Sequence, residues 1–278
     1  MSARTLPSVL PPRSALRSGA GADPADPARP RRPWRRTRLL RTQVRLFLRE
    51  PLAVAWVLGL PVIILLVIGA TTGGERQADL GGLRVVDTYV PTLSVLSLAM
   101  LAFSALPATL VNDREWGILR RLATTPVGPR RLLTVHLTIY ATVAAVSLAA
   151  VVVVGRLAFG VPLPDPFIGF VIVLVVAGGS LLSIGVLLAA VAPTGRAAGA
   201  LGAMTLFPTM FLGGLWLPRE AMSDTLRQIS DLTPVGAAVG ALQDVTTAGA
   251  WPSAGALLVM VAWGVAAALP AAYAFRWE

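Results

Sequence analysis

The chain of 278 residues contains no cysteine, no lysine and a single histidine, and only 14% of its residues are charged. Without cysteine there is no disulfide, no thiol nucleophile and no Cys-ligated metal site. Without lysine there is no standard P-loop, because the Lys of G-x-x-x-x-G-K-[ST] must reach the β- and γ-phosphates of a bound nucleotide. No metal-ligand cluster, paired carboxylates or phosphate loop is present to support another enzymatic reading. What is abundant is apolar: 55% of residues are hydrophobic and the mean hydropathy is +0.71. That is too apolar for a soluble domain to cover with polar surface. The composition predicts a membrane protein.

Uncharged windows of about 20 residues, enough to cross a hydrocarbon core about 30 Å thick, occur six times, at 51–70, 89–111, 132–154, 167–191, 197–217 and 253–275. None contains Asp, Glu or Arg, and His136 is the one residue in them that titrates near neutral pH. A charge at a helix centre costs about 2.5 to 3.5 kcal/mol on insertion scales, while each Leu, Ile, Val or Phe gains about 0.3 to 0.6, so all six are expected to insert. The runs are continuously apolar rather than alternating, which excludes barrel strands. The predicted class is an all-α polytopic membrane protein with six transmembrane helices.

Arginine placement orients the spans. Arg35, Arg36, Arg38, Arg41, Arg45 and Arg49 crowd the approach to the first, and Arg114, Arg120, Arg121, Arg130 and Arg131 fill the loop between the second and third. Both segments are expected in the cytoplasm, which places both termini there as well. The opposite side receives Arg76, Arg84, Arg156, Arg219 and Arg227, mostly interleaved with Glu75, Asp79, Asp87, Asp165, Glu220, Asp224 and Asp231. The net charge of +10 lies largely in the tail and beside the membrane, so membrane lipid, rather than nucleic acid, is the expected anionic partner.

Residues 1–33 are rich in Pro, Ala, Ser and Arg without apolar periodicity and read as a disordered cytoplasmic tail. No apolar run precedes a cleavage site there, so it is not a signal peptide. The remainder, 34–278, is expected to be one transmembrane domain. Arg38, Arg41, Arg45 and Arg49 share a helical face turned away from Leu40, Val44 and Phe47. This predicts an N-terminal interfacial helix ended by Pro51, an arginine-flanked extension of the first span being the alternative. After the fifth span, Pro218 leads into a short amphipathic helix with Met222, Leu226 and Ile229 at i, i+4 and i+7, ended by Thr233-Pro234. A second, glycine-rich helix follows. It is too short to cross and is expected to dip back into the outer leaflet or pack on the last span. Gly236-x-x-x-Gly240 matches a packing motif, but in a chain with 26 glycines such matches arise by chance.

The segment 112–131, N-D-R-E-W-G-I-L-R-R-L-A-T-T-P-V-G-P-R-R, is a basic island between two long apolar runs. Asn112 and Glu115 make an Asn-x-x-Glu pattern that caps a helix start. Ile118, Leu119 and Leu122 would give that helix an apolar side, Arg120 and Arg121 a basic one, and Pro126 with Gly128-Pro129 would stop it. Such a helix suits a groove on a soluble partner, or it is an interfacial turn tying two spans to lipid.

R-E-W-G-I-L-R-R-L-A-T-T-P-V at 114–127 resembles the cytoplasmic loop of ABC transporter type-2 permeases, whose usual form is R-E-x-G-[TI]-L-x-x-L-x-x-T-P. F-L-G-G-L-W-L-P-R-E-A-M at 211–222, L-T-P-V at 232–235 and A-L-Q-D at 241–244 are similar to that family's fifth span and external helices. The resemblance covers about residues 36–277. It implies a permease subunit that pairs with a second permease copy or paralogue and sits on two cytoplasmic ATP-binding subunits, which would bind the ATP and Mg; no cofactor is expected in this chain. It also implies that the loop forms a coupling helix, with Glu115, Gly117, Leu119, Leu122, Thr125 and Pro126 facing the partner ATPase, and that Pro218, Met222 and Pro234 shape the external helices. Two departures stand out: Ser223 where a proline often follows, and no lysine near His136. The expected activity is export of a hydrophobic or amphipathic substrate (a drug, antibiotic or lipid-like molecule) across the plasma membrane, although the family also moves polysaccharides. The arginine-only, Ala- and Gly-rich composition points to a high-GC, actinobacterial-type genome.

Two rival classes fit less well. An ion-coupled secondary transporter usually places Asp, Glu or His at membrane depth, and the span centres have none. An intramembrane serine protease would need Ser180 or Ser183 beside His136, which sits at the cytoplasmic end of the third span, one to three turns away in depth. His136 is therefore assigned an interfacial role.

Overall fold

The computed structural model describes residues 55–72, 74–76, 82–117 and 129–274. Helix α1 (Leu60–Thr71) follows a π-helical turn at Ala55–Gly59, and α2 (Val85–Glu115) runs unbroken for 31 residues. Next come α3 (Pro129–Phe159), α4 (Phe167–Val191) and α5 (Gly195–Leu212). A 3₁₀ turn (Arg219–Ala221) leads to α6 (Asp224–Asp231), α7 (Pro234–Thr246) and α8 (Ala254–Ala274). The expected interfacial helix with Arg38, Arg41, Arg45 and Arg49 lies outside the described residues, as does the tail.

Four described helices, α2, α3, α4 and α8, are long and apolar enough to cross a membrane. α1 is apolar but has 12 residues. The glycine-rich α5 stops at Leu212, short of the expected 217, because Gly213 and a left-handed Gly214 (φ 88°) turn the chain out of the helix. Conversely, α2 and α3 run beyond their apolar windows. Helical hydrogen bonding continues through polar residues as long as the backbone allows, so hydropathy underestimates their length.

Helix α2 is the axis of the fold. It packs on α1, α3, α4, α5 and α7, and Leu93, Val95, Ala99, Ala102, Phe103 and Leu106 in its middle are fully buried. Its buried hydroxyls return to their own helix, Ser94 donating to the Val90 carbonyl at 2.7 Å and Ser97 to the Leu93 carbonyl at 3.0 Å. Neither hydroxyl is thereby stranded. At Leu101–Ala105 the helix widens into a π segment. There Gly185 of α4 lies so close that a Cβ would meet the Ala102 carbonyl oxygen at 2.1 Å, and Gly202 of α5 bears the same relation to the Phe103 oxygen, also at 2.1 Å. Absent side chains let three backbones converge, the kind of contact that holds helices together where water does not drive them.

Helix α8 lies along α4, with Gly264 against Ser180: a Cβ there would stand 3.2 Å from the Ser180 Cα. Ser183 donates to the Gly179 carbonyl at 2.7 Å. Ser180 thus behaves as a helix-packing residue, while Ser183 is bonded within its own helix. Helix α3 leans on α1 and α2 and makes no extensive contact with α4.

Candidate coupling site at the end of helix α2

The Asn112-x-x-Glu115 pattern does not start a helix. Trp116 N–H donates to the Asn112 carbonyl at 2.9 Å and Gly117 N–H to the Arg114 carbonyl at 3.1 Å, so α2 runs on through Glu115 and ends at Gly117, whose φ of 69° is a left-handed helix stop. The same polar residues that can cap an N-terminus here close a C-terminal turn. Leu119, Leu122, Thr125 and Pro126 of the expected coupling helix fall outside the described residues.

In that last turn, consecutive residues point to different neighbours because each advances about 100° around the axis. Asp113 faces α3, where its Oδ2 stands 3.4 Å from His136 Nε2, both residues being buried. His136 is therefore an internal partner of Asp113. Arg114 Nη2 donates to the carbonyl of Ala192, the residue that ends α4. Glu115 Oε1 accepts from the Gly195 N–H at 3.1 Å, at the first residue of α5. Asn112 closes over the same glycine: a Cβ on Gly195 would meet its Oδ1 at 2.2 Å.

The signs match the helix ends. A guanidinium meets the negative C-terminal end of α4, and a carboxylate meets the positive N-terminal end of α5. Thr194 completes the α5 cap, its hydroxyl accepting from the Ala197 N–H at 3.2 Å. One turn of α2 thus braces α3, α4 and α5 together, directly before residue 118. Trp116 stands beside it, 70% exposed. Neither the brace nor the exposed indole was read from the sequence, although Trp116 is an aromatic residue in an otherwise basic stretch.

A family model described as ABC-2 type transporter matches residues 37–246, well over half of the chain and including this whole turn. The chain belongs to the ABC-2 type transporter family. It is a multi-pass membrane protein and a permease subunit of an ABC transporter, a class that works with an ABC ATP-binding partner. A comparison with curated proteins found no match.

At the other end of the bundle lie the 3₁₀ turn, α6 and α7. Pro218 precedes the 3₁₀ turn, Met222 follows it as a buried residue outside α6, and Pro234 opens α7 behind its N-cap, Thr233. Met222 therefore does not share a helix with Leu226 and Ile229, because the N-cap of α6 is Ser223, whose Oγ accepts from the Leu226 N–H at 3.4 Å. Arg219 is buried to 3% exposure and donates to Ser230 Oγ at 2.5 Å, to the Gly236 carbonyl at 3.0 Å and to Asp231 Oδ1. Gly236 and Gly240 prove to be contact positions: a Cβ on the first would meet the Ser230 carbonyl oxygen at 2.1 Å, and on the second Arg219 Nη2 at 3.0 Å. Burial pushes the nearby Asp244 carboxyl above its ordinary value, against the pull of Arg219. Helix α7 is buried against α2, α4 and α8, and Trp263 of α8 donates to the Leu232 carbonyl at 2.9 Å.

Proposed function

We propose that this permease exports a hydrophobic or amphipathic substrate across the plasma membrane, driven by two copies of a separate ATP-binding subunit and working as a pair with a second permease copy or paralogue. Six spans, with both termini and the 118–128 loop cytoplasmic, complete the reading. α1 with the residues before it and α5 supply the two spans beyond the four long helices. The observation that carries it is the brace at 113–115: a push on the loop arrives at a turn fastened to the ends of α4 and α5 by Arg114 and Glu115 and to α3 by Asp113. Such a turn would move several helices together. The ATP and Mg belong to the partner, since a chain without lysine offers no P-loop.

The test is ATP turnover with and without the partner. The purified permease is expected to show no ATP hydrolysis above background and to co-purify with its cognate ATP-binding subunit, and the reconstituted complex should show vanadate-sensitive hydrolysis. Turnover by the permease alone, or efflux in vesicles that lack any ATP-binding subunit but carry an ion gradient, would overturn it.

A further inference from the structure

Helices α3 and α4 stand apart and leave an open groove of about 1400 Å³ between them, floored by α2 and closed at one end by α8. That is larger than the roughly 300–1,000 Å³ of ordinary small-ligand sites. Its walls are side chains such as Leu98, Leu148, Phe170, Leu174 and Ala271. Two of its three hydroxyls are spent on their own helices: Thr138 donates to the Thr134 carbonyl at 2.8 Å and Ser183 to the Gly179 carbonyl at 2.7 Å. Nothing in this lining selects a polar molecule; it fits hydrocarbon chains.

Toward the other end of α3 lies a second chamber of about 530 Å³, and Val152 lines both. The chamber is charged. Arg76 and Arg84 face each other in an isolated antiparallel bridge, which turns directly opposed side chains to the same side, and both line it. Arg84 is committed within the protein: Nε and Nη2 bond Asp87 at 2.9 and 2.7 Å, and Nη1 bonds the Phe159 carbonyl at 2.7 Å. Arg76 gives one hydrogen bond, to the Gly82 carbonyl at 3.1 Å, and pairs with no carboxylate among the described residues. Among the described residues that line the chamber, two guanidiniums and the one carboxylate of Asp87 leave one positive charge over.

We propose that the groove and chamber together form a binding site for an anionic phospholipid, its phosphate at Arg76 and a hydrocarbon chain along α3 and α4. The charge surplus specifies the head and the largely apolar walls specify the tail. Val152 is the joint between them. The site rests on these helices spanning the bilayer but not on the identity of the cargo or of the ATP-binding partner.

The test uses the full chain in phosphatidylcholine nanodiscs doped with either phosphatidylglycerol or phosphatidylcholine carrying a photoreactive diazirine in one chain, with labelled residues mapped by mass spectrometry. Phosphatidylglycerol should label α3 and α4 within the groove about five-fold more than phosphatidylcholine does, the scale of one partly exposed ion pair. Arg76→Gln should erase that preference, and Leu148→Trp, which fills the groove, should reduce labelling there by both lipids. Equal labelling by the two lipids, or a preference that survives Arg76→Gln, would overturn the assignment of the head. Labels spread evenly over all exposed helices would overturn the site. Each result is read without ATP or transport, so it stands apart from the outcome of the coupling experiments.

Discussion

Asp113 and His136 are an acid and a base buried against each other at the end of the bundle where α2 stops, 3.4 Å apart. Removing one member of such a pair strands the other in a poorly solvating site, which typically costs about 3–5 kcal/mol, whereas replacing both by apolar residues is often close to neutral. His136→Ala should therefore lower thermal stability markedly. His136→Leu combined with Asp113→Leu should recover most of the loss. Thermal unfolding of the detergent-solubilised permease checks this, and a single variant as stable as the double would show that the pair is not a partnership. Glu115 is different: it is exposed and its visible duty is one N-terminal cap, worth about 1 kcal/mol. A large functional effect at Glu115 cannot then be blamed on unfolding.

The elements were largely legible in the sequence wherever a long apolar run forces a helix: α2, α3, α4 and α8 fall on expected spans because hydrocarbon leaves a continuous apolar backbone little other choice. Their ends were not legible. Asn112 and Glu115 read as an N-cap because cap preferences are written in residue types, and the same types serve at the end of a helix that happens to continue. Arg219 read as one more charge on a loop, since nothing local announces that Ser230, Asp231 and Gly236 will fold around it. Nor did the glycines that matter stand out from the rest. Gly185 and Gly202 are the positions at which α4 and α5 meet the carbonyls of the π segment. Gly185→Leu or Gly202→Val should push those backbones apart, at the roughly 1–3 kcal/mol typical of overpacking or more. Gly179 and Gly199, with nothing within 4 Å of a Cβ at either, should accept alanine with little loss. Stability and yield of the four variants separate the two classes, and equal behaviour would mean that the convergence on α2 is not a constraint.

At the scale of the whole molecule, the helix ends sort into two sets. Glu115, Pro129, Val191 and Gly195 close one end of the bundle, while Thr71, Arg84, Phe159 and Phe167 close the other. A chain without cysteine allows single cysteines to report which end faces out. Cysteines at Gly74, Asp165 and Asp224 should react with a membrane-impermeant maleimide in intact cells, and cysteines at Arg130 and Gly195 only after permeabilisation; labelling at Arg130 from outside would reverse the orientation. The family was legible from the 114–127 motif, but the way that motif is tied into the fold was not, because Ala192 and Gly195 lie about 80 residues from the turn that holds them. The claim that this turn transmits work is tested most directly by measuring ATP hydrolysis and substrate efflux together, in vesicles holding the permease with its ATP-binding subunit and carrying Arg114→Ala and Glu115→Gln. The account predicts an assembled complex whose ATP hydrolysis continues while efflux falls at least ten-fold, a loss of about 1.4 kcal/mol in coupling. Efflux that keeps pace with hydrolysis in that double variant would contradict it.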